Sequence, residues 1–209
     1  LQGVLEIALK PGWKTYWRDP GDSGVPPQID IAASTNIGHA TLAFPAPRRH
    51  DDGYGSWTGY DHPVSLPVSF TLASPGKPAA IEARVFLGVC ETICIPVQAT
   101  LELDPSADPD NAADAARVRT GFAALPDPAT AGFGARPLPA SDHETLVVEA
   151  EAPGAPSSVD FFVAGENGYM FGPSVRSEHG GKITFRVPIL DRPATKPAGD
   201  GLSYTLTGQ

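Results

Sequence analysis

The strongest constraint on this chain is a period-two alternation of apolar and polar residues, repeated in short segments of its first hundred residues. The clearest run is Val64–Leu72, and similar runs begin at Leu5, Ile81 and Val97. One apolar and one polar face is typical of antiparallel sheets that pack on a single side. Turn clusters rich in Pro, Gly and Asp separate the runs, and short strands at this spacing predict an immunoglobulin-like sandwich. Pro67 predicts that its strand lies at a sheet edge or carries a bulge.

Composition and charge exclude several other classes. The 209 residues include 22 Gly and 23 Pro, which excludes a helical bundle. The 15 Lys and Arg against 24 Asp and Glu give a net charge of −9, which argues against nucleic acid and anionic lipid as partners. No run approaches the roughly 18 to 20 apolar residues that span a bilayer. Because the sequence begins with Leu1 and not with Met, we expect that it has been processed or trimmed. The missing signal peptide therefore does not indicate the cellular compartment.

Three parts are predicted along the chain. Residues 1–104 form the sandwich, 105–140 form a polar connection with one helix at 111–125, and 141–209 form a smaller β-unit. The predicted fold is therefore all-β: an immunoglobulin-like antiparallel β-sandwich, a short helix and a second, smaller β-sandwich-like unit. Asn111 is placed to cap the helix. Its apolar face is predicted to comprise Ala115, Val118, Phe122 and Leu125.

Aromatic residues cluster in two places, and both clusters are predicted to be core. Large aromatic side chains dominate burial in small domains, so a core position is favoured over a recognition surface. The first cluster comprises Trp13, Tyr16 and Trp17, and the second comprises Phe161, Phe162, Tyr169 and Phe171.

The only two cysteines, Cys90 and Cys94, lie on a connection between two predicted strands. A structural disulfide closing so short a loop would contribute only about 2 kcal/mol. A second interpretation is a soft metal ion such as Cu(I), because tetrahedral zinc needs two more ligands and the five histidines are scattered. A third is a redox-active dithiol, since an exposed short-loop disulfide is open to an attacking thiolate. Spacing alone leaves the structural and redox interpretations equal.

Three segments together resemble the N-terminal domain of the bacterial protein-disulfide reductase DsbD and its ScsB-type relatives. They are the Trp-rich string Gly12–Gly24, the run Tyr60–Val68, and the cysteine segment Gly88–Pro96. Their order and spacing agree with that family over about residues 1–104, and residues 105–209 show no comparable resemblance.

The resemblance implies a periplasmic protein-disulfide reductase domain whose reactive residues are Cys90 and Cys94, with no cofactor or metal. It implies a membrane-embedded electron donor of the DsbD or CcdA type, and periplasmic thioredoxin-like acceptors that serve disulfide isomerisation, cytochrome c maturation or copper tolerance. One departure is the spacing, because three residues separate the cysteines here, as in ScsB-type proteins and fewer than in the best-known member.

The family also has a cap loop that covers the cysteine pair until a partner docks. The resemblance maps it to Asp51, Asp52, Gly53 and Tyr54, with Gly53 at the position of the shielding aromatic residue. Tyr54, or Trp57 close by, could shield the pair instead. If the loop lies over the cysteines, its carboxylates would raise the thiol pKa and slow oxidation. The alternative is an ordinary Asp–Gly turn.

Two alternative functions remain open from the sequence. One is a secreted β-sandwich binding module with an inert disulfide, and the other is a periplasmic copper-binding protein that uses the same two sulfurs. The sequence leaves open whether the chain is free-standing or part of a membrane-anchored polypeptide, and what residues 105–209 do.

Overall fold

The computed structural model describes residues 1–21, 24–51, 53, 55–139, 141–153, 158–165, 168–195 and 202–208. It is mostly β-strand, with one helix among these residues, and every paired strand is antiparallel. This confirms the predicted all-β class. The chain divides into two compact units, Leu1–Leu125 and Pro126–Gln209.

The described residues of unit 1 form nine strands in two sheets. The strands are β1 Gln2–Ile7, β2 Lys14–Gly21, β3 Gln28–Asp30, β4 Ile37–Leu42, β5 Arg48–Asp51, β6 Ser56–Tyr60, β7 Val64–Leu72, β8 Ile81–Cys90 and β9 Cys94–Leu103. The smaller sheet has the order β1-β7-β4, and the larger has the order β3-β8-β2-β6-β5 with β9 paired to β8. β8 therefore has β9 along one edge and β2 and β3 along the other.

The core of unit 1 follows the alternation of the sequence. On β8, the alternate residues Ile81, Ala83, Val85 and Leu87 are buried. The residues between them, Glu82, Arg84 and Phe86, are more exposed. Odd-numbered residues of β8 thus face the core, and even-numbered residues face outward. Trp17 on β2 is also core, as predicted, with 1% of its surface exposed.

Pro67 contradicts the expectation drawn from it, because β7 is the central strand of its sheet. The carbonyl of Pro67 accepts the N–H of Ala43, so its backbone polar groups face the β4 side. Strand β4 has already ended at Leu42. The N–H that proline lacks is therefore not needed by the ladder at this point.

The helix α1, Ala112–Ala123, packs against β1 and β7 and so belongs to unit 1. The side chain of Asn111 accepts the N–H groups of Ala113 and Asp114, which confirms the predicted cap. The predicted apolar face is wrong at Ala115, which is exposed. Gly121 is buried instead, and a Cβ there would lie 3.1 Å from Val4, so the missing side chain lets the helix approach β1.

In the part of unit 2 that the structure describes there are seven strands, in two groups. They are β10 Gly134–Pro137, β11 Thr145–Glu151, β12 Asp160–Val163, β13 Met170–Phe171, β14 Val175–His179, β15 Lys182–Asp191 and β16 Tyr204–Thr207. One sheet has the order β10-β11-β15-β13 with β14 on β15, and β12 pairs with β16. Phe161 stacks on Phe185 and Tyr204 in the core, Phe162 is buried, and Phe171 packs against the core.

Candidate redox site

The two cysteines form a disulfide across the end of a β-hairpin. Cys90 ends β8 and Cys94 begins β9, and the two residues face each other in the register of the pair. Their Cα atoms are 4.1 Å apart. The turn between them is Glu91-Thr92-Ile93.

The two sulfurs have unequal environments. Only 1% of Cys90 is exposed, whereas Cys94 is exposed. Cys90 is even-numbered, so it lies on the outward face of the larger sheet rather than in the sandwich core. A second small cluster of side chains must therefore bury it there, and its members come from β2 and β6.

Tyr16 is the member that touches both sulfurs. Its hydroxyl lies 2.9 Å from the Sγ of Cys90 and 3.5 Å from the Sγ of Cys94. Neither sulfur of a disulfide carries a hydrogen, so the hydroxyl is the donor. Strand β2 places it there, because Lys14 is opposite Cys90 and Thr15 is opposite Val89 in the ladder.

Two glycines make room for Tyr16, Gly24 beside its ring and Gly59 beside its backbone. A Cβ at Gly24 would lie 2.6 Å from Tyr16 Cδ1, and a Cβ at Gly59 would lie 2.2 Å from the carbonyl oxygen of Thr15. Neither position has room for a larger residue. The buried hydroxyl of Thr15 donates to the carbonyl of Gly88 (2.9 Å), which fixes β2 to β8 beside the disulfide.

Trp57, on β6, completes the buried cluster. Its indole meets the Tyr16 ring edge-on, with centroids 6.1 Å apart. The imidazole of His50 stacks in parallel on the indole at 3.9 Å, because β5 places His50 opposite Trp57. The ammonium of Lys14 lies 4.6 Å from the same ring centroid, a cation–π contact. We call Lys14, Tyr16, His50 and Trp57 the aromatic cradle.

Burial lowers the pKa of His50 below its ordinary value of 6.5. The nearby cations Arg48, Lys14 and His62 act in the same direction, and Asp61 opposes them. The Nε2 atom of His50 is buried without a hydrogen-bond partner among the described residues. The folded protein therefore favours the neutral imidazole.

A pH dependence of stability follows from this lowered pKa. Below about pH 6.5 the unfolded chain binds a proton at His50 that the folded chain resists, so unfolding becomes more favourable. We expect the urea midpoint of unit 1 to fall between about pH 7.5 and about pH 5.5. The fall should be smaller in His50→Phe, which keeps a ring on Trp57.

The measurement can follow tryptophan fluorescence, because all three tryptophans lie in unit 1. His39→Gln is the matched control, since His39 is exposed on β4, and it should behave like the parent protein. Equal pH dependence in His50→Phe and the parent would contradict the role assigned to His50.

Half of the predicted cap loop can be described. Asp51 is exposed at the end of β5, and its Oδ1 accepts the N–H of Gly53 at 3.0 Å, as in an ordinary turn. Asp52 and Tyr54 lie outside the described residues. Shielding of the disulfide by this loop stays a prediction.

Sequence reasoning missed most of the aromatic cradle. Burial of Tyr16 is confirmed, but its contact with both sulfurs is not foreseen by the sequence, which also gives Lys14 and His50 no role. Trp57 is expected only as a shield in the loop region, whereas it is buried and packs beside Cys90. One sequence signal could have pointed to Lys14 and Tyr16. Both lie in the Trp-rich string Gly12–Gly24, which resembles a motif of a family with reactive cysteines.

The described residues contain neither a membrane-spanning helix nor a cluster that could bind a metal ion. No helix there has the length and apolarity that crossing a membrane requires. No group of three or more His, Cys, Asp or Glu side chains in that part of the chain is arranged to hold a metal ion. A copper site at this position would thus rest on the two cysteine sulfurs.

Fold and site together define a class of protein: a thiol–disulfide interchange domain built as an immunoglobulin-like β-sandwich, with its disulfide at the end of a hairpin. The chain belongs to the family described as "Thiol:disulfide interchange protein DsbD, N-terminal", which matches residues 1–106. This confirms the resemblance seen in the sequence.

One solved structure is similar over almost the whole chain. It is the N-terminal periplasmic domain of ScsB from Proteus mirabilis, with a TM-score of 0.72 and 23% sequence identity. The match covers 98% of this chain and 81% of that one, so the fold is shared beyond the region matched by the family. No curated protein matches the sequence.

Proposed function

We propose that this protein reduces disulfides of thioredoxin-like partners in the periplasm, through exchange at Cys90 and Cys94. The observation that carries the proposal is the asymmetry of the pair: one sulfur is exposed, and the other is buried beneath a tyrosine hydroxyl. An exposed sulfur serves for attack on a partner, and a protected one serves for resolution.

The chemistry proceeds in two exchanges. In the reduced protein, the Cys94 thiolate attacks one sulfur of the partner disulfide; a Cys94–partner bond forms, and the partner's other sulfur leaves as a thiolate. The Cys90 thiolate then attacks Cys94 Sγ, closes the internal disulfide and releases the partner's first sulfur. Two electrons pass to the partner, and its thiolates take protons from water.

A structural role explains the disulfide less well. The β8–β9 hairpin already has ten residue pairs in register, from Ile81↔Leu103 to Cys90↔Cys94. A bond that closes so short a loop adds about 2 kcal/mol, and it joins strands that the ladder already holds together. An exchange reaction, in contrast, uses the exposure of Cys94 directly.

Tyr16 supports the same function. When the pair is reduced, the hydroxyl that now donates to Cys90 Sγ can donate to the thiolate and stabilise its charge in a buried place. Without such a donor, burial would disfavour the thiolate that the resolving step needs.

The source of electrons belongs to the proposal as well. Each cycle leaves the pair oxidised, so a dithiol donor must reduce it again. We propose a membrane-embedded donor of the DsbD or CcdA type. The cap loop, Asp51 to Tyr54, would cover the pair between encounters and move aside for a docking partner.

The test is direct exchange with a thioredoxin, started from reduced thioredoxin because both directions of the exchange pass through the same mixed disulfide at Cys94. We expect reduced thioredoxin to open the disulfide of the full chain, which then shows two thiols to a maleimide-tagged polymer, since the chain has only two cysteines. Dithiothreitol provides the control, because it opens the bond without protein docking. A disulfide that opens with dithiothreitol and stays closed with thioredoxin would reject the proposal in favour of an inert bridge.

A further inference from the structure

The strand that begins at Cys94 has an unusual surface. All ten residues of β9 are exposed, and its only charged residue is Glu102. Its alternation should bury one face, because its odd-numbered residues share the side of the buried residues of β8. Four of those side chains are nevertheless exposed large hydrophobics: Ile95, Val97, Leu101 and Leu103.

The free edge of β9 also presents unpaired backbone groups. Gly88 of β8 donates its N–H to Val25 and accepts from Thr15, both on the side away from β9. Even-numbered pairs between β8 and β9 are therefore of the non-hydrogen-bonded type, and the 4.1 Å Cα separation of Cys90 and Cys94 agrees with this.

The backbone N–H and C=O groups of the even-numbered residues of β9 consequently point away from β8, in the plane of the sheet, at its free edge. Among the described residues, β9 pairs only with β8, so these groups are open to another strand. Pro96 fits this arrangement, because a proline at an edge position has no N–H to leave unpaired. Gln98, Thr100 and Glu102 each present both a backbone N–H donor and a backbone C=O acceptor at this edge.

Natural edge strands usually avoid pairing through lysines, prolines, bulges or short length. Beyond Pro96, strand β9 has no such protection: it has no lysine, no bulge against β8, and ten residues. A shallow cavity of about 410 Å³ also lies on the outward face of the larger sheet, between β3, β8 and β9. Its polar lining includes Gln28, Gln98 and Thr100, and its aromatic wall is Phe86.

This surface lies within reach of any protein docked on Cys94. The Phe86–Gln98 pair is four residues from the Cys90–Cys94 pair, or about 13 Å along the strand. A specific interface covers about 800 Å² per partner, a patch of about 16 Å radius. A partner centred on the exposed sulfur therefore covers the first half of β9, and an extended segment of that partner lying along the strand continues to Thr100 and Glu102, about 20 and 26 Å from Cys94.

We propose that the free edge of β9 accepts an extended segment of the thioredoxin-like partner as an added strand, which holds the partner's reactive sulfur at Cys94. The added strand pairs with the outward groups of Gln98, Thr100 and Glu102 and places apolar side chains beside Val97 and Leu101. The inference rests on the proposed function, and it names how the partner is held. A second copy of the chain is disfavoured as the occupant, because each copy has a net charge of −9.

The decisive variant is Thr100→Pro, which removes an outward N–H and keeps the β8 ladder, as Pro96 already does. Thr100→Ala is its matched control, since it removes the side chain and keeps the N–H. We expect Thr100→Pro to slow exchange with reduced thioredoxin about fivefold, the loss of about one backbone hydrogen bond. Thr100→Ala keeps that N–H, so its exchange rate should stay closer to the parent rate than that of Thr100→Pro. Both variants should react with dithiothreitol at the parent rate.

Amide exchange on the unmutated edge supplies a second test that does not depend on the proline variant folding. In a mixed disulfide of Cys90→Ser with thioredoxin, the amides of Gln98, Thr100 and Glu102 should exchange more slowly than in the free chain. Unprotected amides, or equal thioredoxin rates for Thr100→Pro and Thr100→Ala, would overturn the docking proposal. So would concentration-dependent dimers that protect the same amides without thioredoxin. A parent protein inert to thioredoxin would reject the proposed function itself, a result visible before any variant is made.

Discussion

Replacing Cys90 with serine should turn the protein into a trap that holds its partner on Cys94. The exposed Cys94 thiolate can still attack, and the sulfur that would release the partner is gone. Replacing Cys94 instead leaves only Cys90, of which 1% is exposed. We expect it to react about a hundredfold more slowly, which corresponds to about 3 kcal/mol of local opening.

The measurement uses a thioredoxin with one active-site cysteine, activated as a mixed disulfide with 5-thio-2-nitrobenzoate. Attack by the protein releases the coloured anion, which gives the rate, and a non-reducing gel shows the covalent complex. Cys90→Ser should accumulate the complex, Cys94→Ser should form little, and the reduced parent should form it only transiently. Equal rates for the two single variants, or faster attack by Cys90, would reverse the assigned roles.

The sequence predicts the strands of unit 1 best where apolar and other residues alternate along the chain. The run Val64–Leu72 has the same bounds as β7, because a buried face imposes period two on the residues themselves. Strands β5 and β6 were missed, because Arg48–Asp51 is polar and Ser56–Tyr60 contains Gly59. Strand β6 is placed by pairing with β2, more than thirty residues away, and β5 is placed by pairing with β6.

The candidate site was predicted only in part for the same reason. Cys90 and Cys94 are neighbours in sequence, so spacing alone brings them together. Tyr16, His50 and Trp57 meet them only through the register of β2, β5, β6 and β8, and an alternating pattern does not specify register between distant strands. The same limit applies to β9. Its alternation predicts that the face of its odd-numbered residues is buried, whereas all ten residues of the strand are exposed.

Removing the hydroxyl of Tyr16 should slow the resolving step without disturbing the fold. Tyr16→Phe keeps the ring against Trp57 and Gly24, and removes only the donor that lies 2.9 Å from Cys90 Sγ. A hydrogen bond to a charged group is worth about 1.5 to 3 kcal/mol, so its loss raises the pKa of the Cys90 thiol and lowers the thiolate fraction. The remaining thiolate is more nucleophilic, which offsets about half of the effect on a logarithmic scale. We expect resolution to slow about four- to fifteenfold near neutral pH.

The control is Tyr60→Phe. Tyr60 is also buried in unit 1, and its hydroxyl donates to the carbonyl of Pro45 rather than to a sulfur. Release of 5-thio-2-nitrobenzoate measures the attack by Cys94, and the lifetime of the covalent complex measures resolution by Cys90. Tyr16→Phe should lengthen that lifetime, and Tyr60→Phe should leave it unchanged.

The pH profile separates a role in thiolate stabilisation from a role in packing. A packing defect would slow resolution by a similar factor at every pH. Loss of the thiolate's hydrogen bond should instead move the profile of Tyr16→Phe to higher pH, because its Cys90 thiol gives up the proton later. Once both proteins hold Cys90 as thiolate, the deficit should vanish and then reverse, since the variant's thiolate is the stronger nucleophile. A deficit that stays constant into alkaline solution would show that Tyr16 supports the geometry of the cluster and does not act on the sulfur.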